Sequence, residues 1–237
     1  MYLADSQNAA HDGDLARLLE SSSMREGMKE YAAQMQRYNA GIREIKTKLE
    51  ILDAEFSTHY EYNPIHHIES RLKSPRSILE KLQRRNLPIS LETIRTQLSD
   101  VAGVRVICNY IDDVYRVSEL LTGQSDVRVI SSRDYIKTPK ENGYRSLHLV
   151  VEVPVFFAEG PVNVTVEVQL RTIAMDFWAS LEHKLRYKND TDVSEELRYR
   201  LKICAEAISE VDVEMQDIHQ ALKQASGDAV TAELHKD

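Results

Sequence analysis

The chain has 237 residues, 42% of them hydrophobic and 29% charged, which excludes intrinsic disorder and supplies a core for one compact domain with helical additions or for two small domains. The formal net charge of −8 argues against nonspecific nucleic-acid binding, and no apolar run approaches the ~18 residues of a membrane span. The first 24 residues lack a basic start followed by an apolar stretch, and Cys108 and Cys204 both sit in apolar patterns, so the chain is read as cytoplasmic, with two buried, unpaired thiols.

In chain order, residues 1–13 read as a loose tail. An apolar series then runs Met28, Tyr31, Met35, Tyr38, Ile42, Ile45, Leu49, Leu52, in alternating steps of three and four that predict a long helix. Residues 76–86 suit a short basic helix, with Pro75 just before or at its start and Ser77 in its first turn. A buried strand is expected over 101–111, a helix over 112–121 and a short strand near 127–130. Residues 147–155 and 162–171 read as two further strands joined by a loop containing Pro154, Gly160 and Pro161. A helix follows over 173–187, with Ala174, Trp178, Leu181 and Leu185 turned inward. The C-terminal third repeats the three-and-four spacing at Leu197, Leu201, Cys204, Ile208, Val211, Met215, Ile218 and Leu222. Both terminal stripes can pack on the domain or form an oligomer interface, and periodicity leaves the two readings open. The organisation expected is a tail over 1–24, a central domain over 25–190, a packing or oligomerisation helix over 191–224 and a tail over 225–237.

The clearest chemical signal lies in the strand over 162–171. Val162, Val164, Val166, Val168 and Leu170 alternate with Asn163, Thr165, Glu167, Gln169 and Arg171. A period of two sends the first set to the core and places Glu167, Gln169 and Arg171 on the other face, about 7 Å apart in succession. That face is either solvated or a site able to hold a metal, a base and a phosphate. His148 falls on the polar side of the preceding strand and joins Glu167 if the two strands pair. Residues 71–86 carry six basic side chains and one acidic, a compact positive segment that suits a small polyanion. Ser77, Lys81 and Arg84 share one face of its helix, and Arg71 and Lys73 stand just upstream. The turn at Pro139, Asn142 and Gly143 is ringed by Lys137, Lys140, Tyr144 and Arg145, an aromatic among cations that suits a nucleotide.

Taken in order, the stretches RLKSPRSILEK at 71–81, DVAGVRV at 100–106, YIKTPKENGYRSLHL at 135–149 and VEVQLRTIAMDFWASLEHKLRYK at 166–188 resemble the synthetase domain of the RelA/SpoT family, specifically its small single-domain alarmone synthetases. The resemblance implies an α/β (α+β) fold, a nucleotidyltransferase-like mixed β-sheet flanked by helices. It implies transfer of pyrophosphate from ATP to the 3′-hydroxyl of GDP or GTP, with release of AMP and formation of (p)ppGpp. Arg71, Lys73, Ser77, Lys81 and Arg84 would grip the ATP phosphates, and Arg71 with Arg105 would sandwich adenine. Asp100 would bind Mg2+, and Glu167 would act beside the metal as base on the 3′-hydroxyl. Tyr144 would stack on guanine, with Lys140, His148, Gln169 and Arg171 on the acceptor or phosphate side. Family precedent favours a homotetramer, with product alarmone or single-stranded RNA as candidate regulators, and leaves GDP, GTP and GMP open as acceptors. The His11-Asp12 dipeptide has only 70 residues between the start of the chain and Arg71, too few for the family's hydrolase domain.

Overall fold

The computed structural model of the protein describes residues 22–188 and 194–234. Helix α1 (Ser22–His59) leads into strand β1 (Ile65–Leu72), the short helices α2 (Pro75–Arg84) and α3 (Leu91–Gln97), and strand β2 (Ala102–Cys108). Helix α4 (Ile111–Thr122), strands β3 (Arg128–Asp134), β4 (Leu147–Phe157) and β5 (Gly160–Thr172), and helices α5 (Ile173–Lys188) and α6 (Glu195–Leu234) complete the order. The five strands form one mixed sheet, β1-β2-β5-β4-β3, in which only β2 and β5 run parallel. The mixed sheet expected from the resemblance is present.

One sheet face holds the core. Val104 and Val106 of β2, Val166, Val168 and Leu170 of β5, and Leu149 and Val151 of β4 are buried there. They pack with Tyr38, Ile42, Ile45 and Leu49 of α1 and with Val114, Val117 and Leu121 of α4. Each fully buried aliphatic side chain of this set contributes roughly 1.5–3 kcal/mol. Gly41 sets the close approach of α1: a Cβ there would fall 2.5 Å from Cγ1 of Val164. Most of the N-terminal stripe is therefore core packing, although Met28 remains exposed.

The C-terminal helix behaves differently. Leu201, Ala205, Ile208 and Asp212, spaced four, three and four, face the body. Leu197, Cys204, Val211, Met215, Ile218 and Leu222 of the predicted stripe are exposed, so Cys204 is not the buried thiol expected of it. Cys108 is buried, and neither cysteine forms a disulfide. Further along α6, His219 stacks on Tyr110 with ring centroids 4.2 Å apart. Gln216 and Gln220 bond to the backbone and side chain of Asp112 at the start of α4, each at 2.7 Å.

Helix α5 corrects its expected orientation. Its buried face is Met175, Trp178 and Ala179, while Leu181 and Leu185 are exposed together with Ile173 and Phe177. The helix has two apolar faces, and the inner one is fixed by Trp178, whose indole N–H donates to the carbonyl of Leu201 on α6 at 3.0 Å. Strand β1 and helix α3 carry no sequence expectation. Of the tail read over 1–24, residues 1–21, with the His11-Asp12 dipeptide, lie outside the described residues, and its last three belong to the helical backbone of α1. The helical backbone of α6 runs on to Leu234, through residues read from sequence as a patternless tail.

Candidate active site

The alternation that buries one face of β5 leaves Glu167 and Gln169 on the other. Parallel pairing sets Gly103 opposite Glu167 and Arg105 opposite Gln169, and antiparallel pairing sets His148 opposite Gln169. On the far side of β2, Glu69 pairs with Arg105 and Arg71 with Gly103. Three strands thus bring Arg71, Arg105, Glu167 and Gln169 to the wall of one cleft of about 570 Å3, completed by Ser180, His183 and other residues of α5.

At one end of the cleft stands Asp100, just before β2. Ser74 caps α2 by accepting from the Ser77 N–H at 3.3 Å, and the Lys73 N–H bonds to the Val101 carbonyl at 2.8 Å. These contacts lock the β1–α2 turn so that Lys73 and Lys81 both reach one carboxylate oxygen of Asp100, Lys81 at 2.5 Å. Burial alone would raise the Asp100 pKa; the two ammoniums outweigh it and hold the carboxyl below the usual carboxylate range. Burial lowers the pKa of Lys81, because one carboxylate shared with Lys73 does not fully offset its desolvation. The second oxygen of Asp100, Oδ1, is buried without a hydrogen-bond partner, a free ligand position for a cation. Among the described residues no three His, Cys, Asp or Glu side chains converge to hold a metal. A hard cation here would complete its shell with phosphate oxygens and water.

At the middle of the cleft, Glu167 closes a ring of hydrogen bonds. Arg171 Nη2 donates to the Tyr144 hydroxyl at 2.6 Å and to Gln169 Oε1 at 3.0 Å. The Gln169 amide donates to Glu167 Oε2 at 2.8 Å. The Tyr144 hydroxyl, which accepts from Arg171, also bonds to His148 Nε2 at 2.7 Å and is the donor there when the ring proton sits on Nδ1. In that tautomer the Nδ1–H of His148 lies 3.4 Å from Glu167 Oε1. Two donor chains therefore start at Arg171 and end on the two oxygens of Glu167. Burial would raise the Glu167 pKa, but the His148 and Gln169 contacts prevail and lower it.

The Tyr144 ring lines the cleft, with Lys140 Nζ 4.7 Å and the Arg171 guanidinium 5.1 Å from its centroid. Its loop is held by Gly143, whose φ of 87° belongs to the left-handed region. A Cβ at Gly143 would meet that of Ala205 at 2.5 Å. Arg145 Nη1 donates to the carbonyls of Gly143 and Ala205, at 3.1 and 3.3 Å.

The site residues expected from sequence thus gather in two groups, Lys73, Lys81 and Asp100 in one and Lys140, Tyr144, His148, Glu167, Gln169 and Arg171 in the other, with Arg71 and Arg105 on the wall between. Of these, Lys81, Lys140 and His148 do not line the cleft but contact residues that do; Ser77 and Arg84 do not line it either, Ser77 serving the cap of α2 and Arg84 being exposed. Sequence reasoning missed Glu69 and Asp176. Glu69 Oε2 lies 3.3 Å from Arg105, and Asp176 Oδ1 lies 3.4 Å from Arg105 and 3.1 Å from Arg171. The only signal for Glu69 was a carboxylate two residues before Arg71.

Residues 70–192 match the family profile described as the region found in RelA/SpoT proteins. Over 191 residues the chain is 42% identical to the GTP pyrophosphokinase YwaC of Bacillus subtilis, covering 81% of this chain and 91% of that protein. Small alarmone synthetase 1 of the same organism, solved bound to its product pppGpp, superposes with a TM-score of 0.76 at 38% identity, over 81% of this chain and 98% of the other. The same enzyme solved with AMPCPP gives a TM-score of 0.72 at 35% identity, over 83% and 99% of the two chains.

Proposed function

The chain belongs to the RelA/SpoT family, and from that premise we propose that it is a GTP pyrophosphokinase, moving the β,γ-pyrophosphoryl group of ATP to the 3′-hydroxyl of GDP or GTP and releasing AMP. The observation that carries this reading is the convergence of two donor chains on Glu167 in the cleft it shares with Asp100. Donors on both oxygens keep Glu167 ionised and aimed, as a general base must be. Glu167 takes the proton of the 3′-hydroxyl, the freed oxygen bonds to the β-phosphorus of ATP, and the bond from that phosphorus to the oxygen of AMP breaks. Arg71 and Arg105 flank the adenine, and Lys73 and Lys81 turn from Asp100 to the incoming phosphates. Tyr144 presents its ring to guanine once Lys140 or Arg171 yields a face. Ser77 and Arg84 stay outside this set.

Mg2+ fits the open Oδ1 of Asp100, with Glu167 as the second ligand, and when bound it neutralises charge on the polyphosphate. The exposed apolar residues of α5 and α6 support a homo-oligomer, and we take it to be a tetramer in the cytoplasm on the family precedent. The test is incubation of the pure protein with labelled ATP, Mg2+ and each guanine nucleotide. AMP and a 3′-pyrophosphorylated guanosine product are expected. Release of inorganic pyrophosphate would mean nucleotidyl transfer, and no turnover would mean a binding module; either outcome overturns the proposal.

A further inference from the structure

Arg105 and Arg171 project from neighbouring strands into the same cleft, and the pKa of Arg105 falls, through burial first and the charge of Arg171 second. In both, the Nε atom is buried without a hydrogen-bond partner. Two guanidiniums so placed need an anion between them. Glu69 meets Arg105 alone; the anion between the two is Asp176, in the first turn of α5, whose Oδ1 meets both. The Ser180 hydroxyl, one turn on, donates to its other oxygen at 3.4 Å, which fixes the carboxylate's own rotation.

We infer that Asp176 is a positioning residue shared by the two halves of the active site, setting Arg105 on the ATP side and Arg171 on the guanine-nucleotide side from one carboxylate. The inference rests on the proposed function for what each arginine contacts. A guanidinium fixed at its edge keeps its flat face free for a purine. Arg171 is also the origin of both donor chains to Glu167, so its orientation governs how the base is held. Asp176 touches neither nucleotide; it acts through the arginines.

The position decides between two opposite expectations. If Asp176 only balances charge, removing it makes the cleft more cationic and tightens both polyphosphate ligands. If it positions, removing it weakens both. Calorimetric titration with GDP alone and with a nonhydrolysable ATP analogue alone separates these. Asp176→Asn is expected to weaken each ligand about tenfold, with melting close to wild type, and Asp176→Ser serves in its place should the amide disturb α5. A double-mutant cycle then tests the route. Arg171→Met should weaken GDP, and adding Asp176→Asn to it should weaken GDP no further, where independent effects would multiply to about a hundredfold. The same holds for Arg105→Met and the ATP analogue. Tighter or unchanged binding in Asp176→Asn, or multiplicative losses in the cycles, overturns the inference. If Arg105→Met and Arg171→Met themselves leave both affinities intact, it is the assignment of the nucleotide pockets that fails.

Discussion

At the scale of single residues, the two donor chains make distinct predictions for the groups along them. Glu167→Gln keeps the shape and one acceptor oxygen but cannot take a proton, so turnover should fall at least about 10²-fold with nucleotide affinity retained; rapid-quench turnover beside calorimetry checks both halves. Tyr144 plays two parts that two variants separate. Tyr144→Ala removes the ring and should raise the Michaelis constant for GDP roughly 5- to 150-fold, the worth of one stacked base. Tyr144→Phe keeps the ring and breaks the link from Arg171 to His148, so it should lower kcat while sparing that constant. Titration has a definite sign as well. Glu167 and Asp100 titrate below their ordinary values, so their stabilisation is in place above the unfolded-state pKa, about 4 for both, and is lost as pH falls through the lower native values. The acid limb of kcat/KM should accordingly lie below that of a free glutamate.

At the scale of elements, legibility followed periodicity. Strand β5 was readable because a strict period of two needs no tertiary context, and it delivered Glu167, Gln169 and Arg171 together. Strand β1 was not, because six of its eight residues are exposed and two of those are histidines; an edge strand with no buried face writes no alternation. Asp176 stayed hidden for a different reason: its role depends on two arginines meeting across β2 and β5, which no helical spacing encodes. In α5, the set Ala174, Trp178, Leu181 and Leu185 was a sound apolar stripe, but a helix with two such faces cannot announce which one is buried against α6. Trp178 now marks the buried one, and Trp178→Ala should cost about 3–5 kcal/mol, read from chemical denaturation. The contact between α5 and α6 also carries a buried acid: Thr172 caps α5 by accepting from the Met175 N–H at 3.1 Å and donates to Asp212 at 2.6 Å. Burial, opposed by Thr172 and Arg145, raises the pKa of Asp212. Ionised Asp212 thus weighs against the fold, an effect absent below its unfolded pKa and complete above its native one. Asp212→Asn should raise the melting temperature at neutral pH and give no gain in acid.

At the scale of the whole molecule, the body buries one sheet face under α1 and α4, opens the other as the cleft, and leaves the outer sides of α5 and α6 apolar. Light scattering should return a multiple of the 27.2 kDa chain mass, and Val211→Glu with Ile218→Glu on the exposed side of α6 should reduce it to one chain without unfolding it. The opposite side of the same helix sits directly on the loop that carries Tyr144, where Gly143 and Ala205 meet with no room for another carbon. Two of the smallest residues in the alphabet therefore act as a gauge block between a helix and a loop. Neither position can grow, Gly143 being held to glycine by its left-handed φ as well, and the loop inherits any shift in the helix it rests on. Ala205→Val, a change outside the cleft, should push Tyr144 off its seat and weaken guanine nucleotide while leaving ATP untouched.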